Sequence, residues 1–148
     1  MNIIELAKKN NLIKELKDID IVEDNSIYLN EEKSNYNFKY NAGDIVFVKK
    51  YNYSDGTNGS NHLFLIIEDN YIVSMDYFCL LISSQLDKLK YDTNLFLAKD
   101  CKNKLKKDSI LKLDNIYRIE NSDILFKVGE VTQEKLNMYR DTFIKIYS

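Results

Sequence analysis

Residues 43–84, GDIVFVKKYNYSDGTNGSNHLFLIIEDNYIVSMDYFCLLISS, constrain this chain more than any other stretch. Ile45 to Val48 is a short apolar run that predicts a strand, closed by Lys49-Lys50. Leu63–Ile67 and Tyr71–Met75 flank Glu68-Asp69-Asn70 and read as a tight hairpin. Tyr77–Ile82 reads as a strand buried on both faces. Between the first two strands lies a polar loop, Tyr51 to Asn61, with turn signals at Asp55-Gly56 and Asn58-Gly59. It is longer than most hairpin connections, which favours a functional or mobile loop. The only histidine, His62, therefore stands where a loop meets a strand, and the hydroxyl pair Ser83-Ser84 stands where another strand ends. A sheet that holds side chains rigidly beside a loop that admits a ligand is a common way to build a site.

The flanking segments are read in the same way. Ile3, Leu6, Ile13 and Leu16 fall close to one face of a helix over 3–18, which Asn10-Asn11 weakens and is able to split. That face either packs on its own domain or meets a partner protein. Ser26 to Leu29 reads as a short strand. Tyr36, Phe38 and Tyr40 alternate with polar residues at strand spacing, a pattern that covers a core or stacks nucleic-acid bases. Beyond the polar stretch 85–94, Leu95–Ala98 is a short strand. The basic run KDCKNKLKK, 99–107, is a solvated face or a phosphate contact. Ile110–Leu113 and Ile116–Ile119 read as two strands around Asp114-Asn115. Ser122 reads as the cap of a short helical turn that Gly129 ends, and Thr132 caps a final helix with Leu136, Tyr139, Phe143 and Ile146 on one face.

The sum is a mainly β protein with helices, of the α+β class: short strands in a small, strongly curved sheet or barrel, with a helix at each end. At 148 residues one globular unit is expected, with a seam near residue 42 that divides an N-terminal extension, 1–42, from a body, 43–148. The formal net charge of -2 excludes an overall polyanion magnet but not a local basic groove. With one histidine, and with Cys79 and Cys101 outside CxxC spacing, no metal set or other cofactor is expected. Cys79 reads as a small buried hydrophobe. No apolar run reaches membrane-spanning length and the N-terminal residues lack a signal-like apolar stretch, so a cytoplasmic setting without membrane contact is expected.

From Gly43 onward the chain resembles the MazF/PemK family of toxin endoribonucleases. Gly43-Asp44-Ile45-Val46-Phe47-Val48 is similar to the family's opening strand, a glycine, an acidic residue, two apolar residues, tryptophan and valine. Asn61-His62-Leu63-Phe64-Leu65-Ile66-Ile67 is similar to the segment in which an arginine-proline pair precedes an apolar strand. Cys79 to Ser84 is similar to a strand ending in threonine-serine. Leu105 to Glu120, LKKDSILKLDNIYRIE, resembles the long fourth motif with its aspartate-serine start. Residues 1–42 have no counterpart in the short family members.

The resemblance implies an SH3-like barrel with a C-terminal helix, a homodimer, a cognate antitoxin, and metal-independent cleavage of single-stranded RNA such as mRNA. The ribose 2′-oxygen would attack the adjacent phosphate, which requires a base, an acid and donors to the phosphate. The catalytic residues carried over are His62, Ser83, Lys112 and Asp114, with Lys49, Asn61, Ser84 and Asn115 as RNA-binding residues. His62 would be acid or base, Ser83 a donor to the phosphate, Lys112 the charge, and Asp114 an orienting group or proton acceptor. The departures are specific: His62 replaces the arginine, Leu63 the proline, Ser83 the threonine, Asn115 a glutamine, and Tyr117-Arg118 an arginine-threonine pair. Serine keeps the hydroxyl, whereas histidine gives up arginine's permanent charge and fork of donors. The alternative is a degenerate MazF/PemK/CcdB-like module that binds a protein or nucleic acid without cutting. A third reading gives residues 1–42 the specificity of a defence or regulatory partner, or the role of a built-in inhibitor.

Overall fold

The computed structural model of the chain describes residues 2–29, 39–51, 56, 59–69 and 76–148. Its elements in order are α1 (Ile3–Lys9), β1 (Ile13–Glu15), β2 (Asp44–Val48), β3 (His62–Asp69), β4 (Asp76–Ser83), β5 (Asn94–Leu97), β6 (Ser109–Glu120), β7 (Ile124–Glu130) and α2 (Gln133–Tyr147). Single 3-10 turns lie at Leu16–Asp18, Ser26–Tyr28, Leu86–Lys90 and Asn121–Asp123. The strands form one sheet in the order β1-β6-β4-β3-β2-β7, and β5 also pairs with β6. All pairings are antiparallel except β1 with β6. The twelve-residue β6 is the spine: β4 runs along one edge, while β5 and β1 share the other, over Ser109–Lys112 and Ile116–Arg118.

The near-continuous apolar strands are explained by burial on both faces of the sheet. Along β3, Leu63, Leu65 and Ile67 enter a core with Phe47, Leu80, Ile82, Leu111 and Phe143. The intervening Phe64 and Ile66 enter a second core with Val46, Val48, Leu81 and Tyr117. Strand residues alternate between faces, so no polar position is left over where both faces are covered. The first face is covered by Leu136, Tyr139 and Phe143 of α2 and by Ile3, Leu6 and Ala7 of α1. The second is covered in part by Leu16, Ile19 and Tyr40. The first 42 residues thus supply parts of both cores and one strand of the sheet, with each such large side chain contributing roughly 1.5–3 kcal/mol of burial.

Several local expectations change. The helix expected over 3–18 stops at Lys9: Asn10 closes it, Asn11 takes a left-handed φ of 58°, and the chain turns into β1. Asparagine tolerates that conformation better than most residues. Ser26–Tyr28 is a 3-10 turn and not a strand, and the stretch 85–94 contains the 3-10 turn Leu86–Lys90. The two strands expected around Asp114-Asn115 are the single strand β6. Between the pairs Cys79–Tyr117 and Leu81–Lys112, β4 advances two residues and β6 five, so Asp114 and Asn115 occupy a bulge and not a chain reversal. The helical turn expected from Ser122 to Val128 is short: the 3-10 turn ends at Asp123 and β7 follows. Ile124 and Phe126 are buried while Leu125 is exposed, the two-residue period of a strand paired with β2. Tyr36, Phe38 and the second strand of the expected hairpin, Tyr71–Met75, lie outside the described residues. Among the described residues no helix is long and apolar enough to cross a membrane.

Candidate active site

The expected site residues fall into two groups and one outlier. His62 begins β3 and Ser83 ends β4, and the antiparallel register that sets Leu63 opposite Ile82 brings these two strand ends side by side. His62 lies on the strand face of Phe64 and Ile66, and Ser83 on that of Leu81 and Cys79, so both belong to the second core's side of the sheet. Asn61 and Ser84 extend the same pair of ends. Asn61 Nδ2 donates to the Val48 carbonyl at 3.2 Å, which ties the loop to β2.

Both central groups are almost fully enclosed: His62 is 3% exposed and Ser83 1%. The ring Nε2 of His62 lies 3.2 Å from Ser60 Oγ, and among the described residues Nδ1 has no hydrogen-bond partner. Burial without a compensating charge pushes the imidazole down to a pKa of about 4. The ring is therefore neutral at pH 7, unlike the arginine of the family pattern. The Ser83 hydroxyl donates to a carboxylate oxygen of Glu23 and accepts from the Gln85 amide at 3.1 Å. The Ser84 amide faces the second oxygen of Glu23 at 3.4 Å. A hydroxyl and an amide directed at two oxygens of one anion form a small oxyanion receptor.

The second group is on β6. Lys112 pairs with Leu81, two residues from Ser83, and its ammonium lies 3.7 Å from Asp114 Oδ2. Burial raises the Glu23 carboxyl, and its bonds to Ser83 and Ser84 and then the charges of Lys112 and Lys107 act against that rise. Asn115 is half-buried in the bulge beside Asp114. The outlier is Lys49, whose ammonium pairs with Asp123 at 3.1 Å. Asp123 lines a cleft of about 370 Å³ with Glu15, Lys17, Tyr51, Arg118 and Glu120, and none of the Ser83 group borders it. Among the described residues no group of three or more His, Cys, Asp or Glu side chains is arranged to hold a metal.

Glu23 and Ser60 are the members that sequence reasoning missed. Glu23 lies in a mixed segment without periodicity, and only the tertiary path of the chain carries it to Ser83.

A sheet of this order covered on one face by a C-terminal helix fits the match of residues 41–147 to the PemK-like, MazF-like toxins of type II toxin-antitoxin systems. The chain belongs to that family. Its fold is also that of a solved structure described as an endoribonuclease in complex with its cognate antitoxin from Mycobacterial species, with a TM-score of 0.51 and 14% identity over 74% of this chain and 93% of that one. Likeness at that identity concerns the fold alone. No curated protein matches the sequence.

Proposed function

We propose that this toxin-family chain is an endoribonuclease that cuts single-stranded RNA without a metal and is held in check by a cognate antitoxin. The observation that carries the reading is the paired Ser83 hydroxyl and Ser84 amide, directed at one anion within the field of Lys112. With a phosphate there, the 2′-oxygen attacks phosphorus, the bond to the 5′-oxygen breaks, and a 2′,3′-cyclic phosphate remains. Ser83 and Ser84 stabilise the charge that grows on the phosphoryl oxygens, and Lys112, oriented by Asp114, adds the positive field. His62 is neutral and is cast as the base that takes the 2′-hydroxyl proton, while the departing 5′-oxygen takes a proton from water. Asn61, Asn115 and Lys49 would contact the rest of the strand. A homodimer would extend the groove across two copies.

The test is RNA cleavage by the wild type and by Ser83→Ala in the presence of EDTA, with the product ends identified. Cutting that survives EDTA, leaves cyclic phosphate ends and is lost in the variant supports the reading. No cutting by the wild type over many RNA sequences would favour the second reading, a module that binds without cutting. The specific observation behind that alternative is the neutral His62 in place of a permanently charged arginine.

A further inference from the structure

The segment between the Leu16–Asp18 turn and Tyr28 runs from one face of the sheet to the other. At its start Leu16 and Ile19 are buried in the second core, and at its end Tyr28 is buried in the first. Tyr28 packs on Phe47 with ring centroids 6.1 Å apart, and its hydroxyl accepts from the Lys106 amide at 2.8 Å. Pinned at both ends by apolar side chains, the chain between them crosses the ends of β3 and β4.

Ile21 packs against the second core, and beyond it the contacts across the crossing are polar. The Glu23 amide donates to Ser60 Oγ at 3.2 Å, the same hydroxyl that meets His62. Asn25 Nδ2 donates to the Asn61 carbonyl at 2.7 Å. The Glu23 carboxylate accepts from the Ser83 hydroxyl and faces the Ser84 amide. Side chains alternate as in a strand: Glu23 and Asn25 turn inward while Val22, 68% exposed, and Asp24 turn outward. The segment is nonetheless in no strand, and Glu23 and Asn25 are held through side-chain hydrogen bonds.

We propose that residues 20–29 are an occluding strap whose Glu23 carboxylate occupies the place of the RNA phosphate at Ser83 and Ser84. The inference rests on the reading of those two residues as phosphate donors. A carboxylate offers two anionic oxygens to a hydroxyl and an amide, as a phosphate does, and two anions cannot share one receptor. Burial pushes the Glu23 carboxyl above its usual range, while its bonds to Ser83 and Ser84 and the charges of Lys112 and Lys107 favour ionisation. The carboxylate is thus partly desolvated and offset by the charges that would otherwise meet RNA. Because Glu23 to Asn25 is held by polar contacts and its flanks by apolar ones, the strap can lift at Glu23 while Leu16, Ile19, Ile21 and Tyr28 stay seated. RNA reaches the site by displacing the carboxylate, and binding is weaker by that competition.

The experiment uses the full chain as wild type, Glu23→Ala, Glu23→Gln and Asp20→Asn, the last removing the same charge from an exposed neighbour. The probe is a single-stranded oligonucleotide with 2′-deoxy sugars, which has phosphates but no attacking hydroxyl. The strap predicts that Glu23→Ala binds it about tenfold more tightly or better, that Glu23→Gln gains less, that Asp20→Asn stays within about twofold of wild type, and that Ser83→Ala in the Glu23→Ala background abolishes the gain. Equal or weaker binding by Glu23→Ala overturns the strap, as does an equal gain in Asp20→Asn. The same proteins are given all-ribose RNA. Tighter binding of the deoxy probe with no cleavage by any variant keeps the strap and removes the nuclease. Cleavage by the wild type that Glu23→Ala does not increase keeps the nuclease and removes the strap, and reduced cleavage would place Glu23 in the chemistry.

Discussion

The ring Nε2 of His62 lies 3.2 Å from the Ser60 hydroxyl, and the ring is almost wholly buried there. Burial lowers the His62 pKa to about 4 from the ordinary 6.5. The unfolded chain takes up a proton as the pH falls through 6.5, and the folded protein does not until about 4. Stability from this group is therefore full above pH 6.5 and is lost as the pH falls toward 4, by about 2 kcal/mol at pH 5. Glu23 acts in the opposite sense, because its raised pKa lets the folded state bind a proton first. Urea unfolding of wild type and His62→Gln at pH 7.5 and 5 separates the two groups. The gap between the proteins should shift by about 2 kcal/mol in favour of the variant at pH 5, and a constant gap would mean that the imidazole is solvated.

Ser83 is expected to matter through its hydroxyl. Ser83→Ala should lower kcat/KM for RNA cleavage by about 100-fold, the effect of one lost oxyanion donor. Ser83→Thr keeps the donor and should retain activity within about tenfold, the cost of a misplaced but intact donor being smaller than that of a missing one. If Thr is as impaired as Ala while both unfold at the wild-type temperature, the hydroxyl is not the operative group.

Gly129 gives a stability test independent of function. A Cβ there would fall 2.2 Å from the Asn103 carbonyl oxygen and 2.5 Å from its carbon, both backbone atoms. Neither atom can swing away, so Gly129→Ala should cost about 3 kcal/mol or more, the upper end of overpacking penalties. A melting temperature within a degree or two of wild type would show that the contact between β7 and the Asn103 loop is loose.

Leu6 of α1 is 4% exposed in the core shared with α2. Leu6→Ala should cost about 3 kcal/mol, measured by chemical denaturation in a single transition. A change below about 0.5 kcal/mol, the size usual for surface positions, would show that the N-terminal segment is an appendage and not part of the core.

The strands of the body were legible because their apolar runs are short and bounded by turn signals, which suits strands better than helices. Ile45 to Val48, Leu63 to Ile67 and Tyr77 to Ile82 lie within β2, β3 and β4. Thr132 caps α2, its hydroxyl accepting from the Lys135 amide at 3.2 Å, as its local chemistry predicts. What misled were polar pairs whose local signal is the same for two outcomes. Asp114-Asn115 has the composition of a turn, and the pairing of β6 with β4 makes it a bulge. Ser122-Asp123 has the composition of a helix start, and the pairing of β7 with β2 limits it to one 3-10 turn.

The sequence alone determined the strand content, the final helix, the family's motifs and the presence of His62 and Ser83-Ser84 at strand ends. These follow from periodicity, caps and residue type, which act over a few positions. Only the tertiary structure decided that Glu23 meets Ser83 across 60 residues of chain, that His62 is neutral, and that the first residues complete both cores. A hydrogen bond between distant residues leaves no local pattern, and a pKa depends on how much water the fold removes from around a group. Side-chain chemistry could be read along the chain, but which of those groups face one another depended on its path across the sheet.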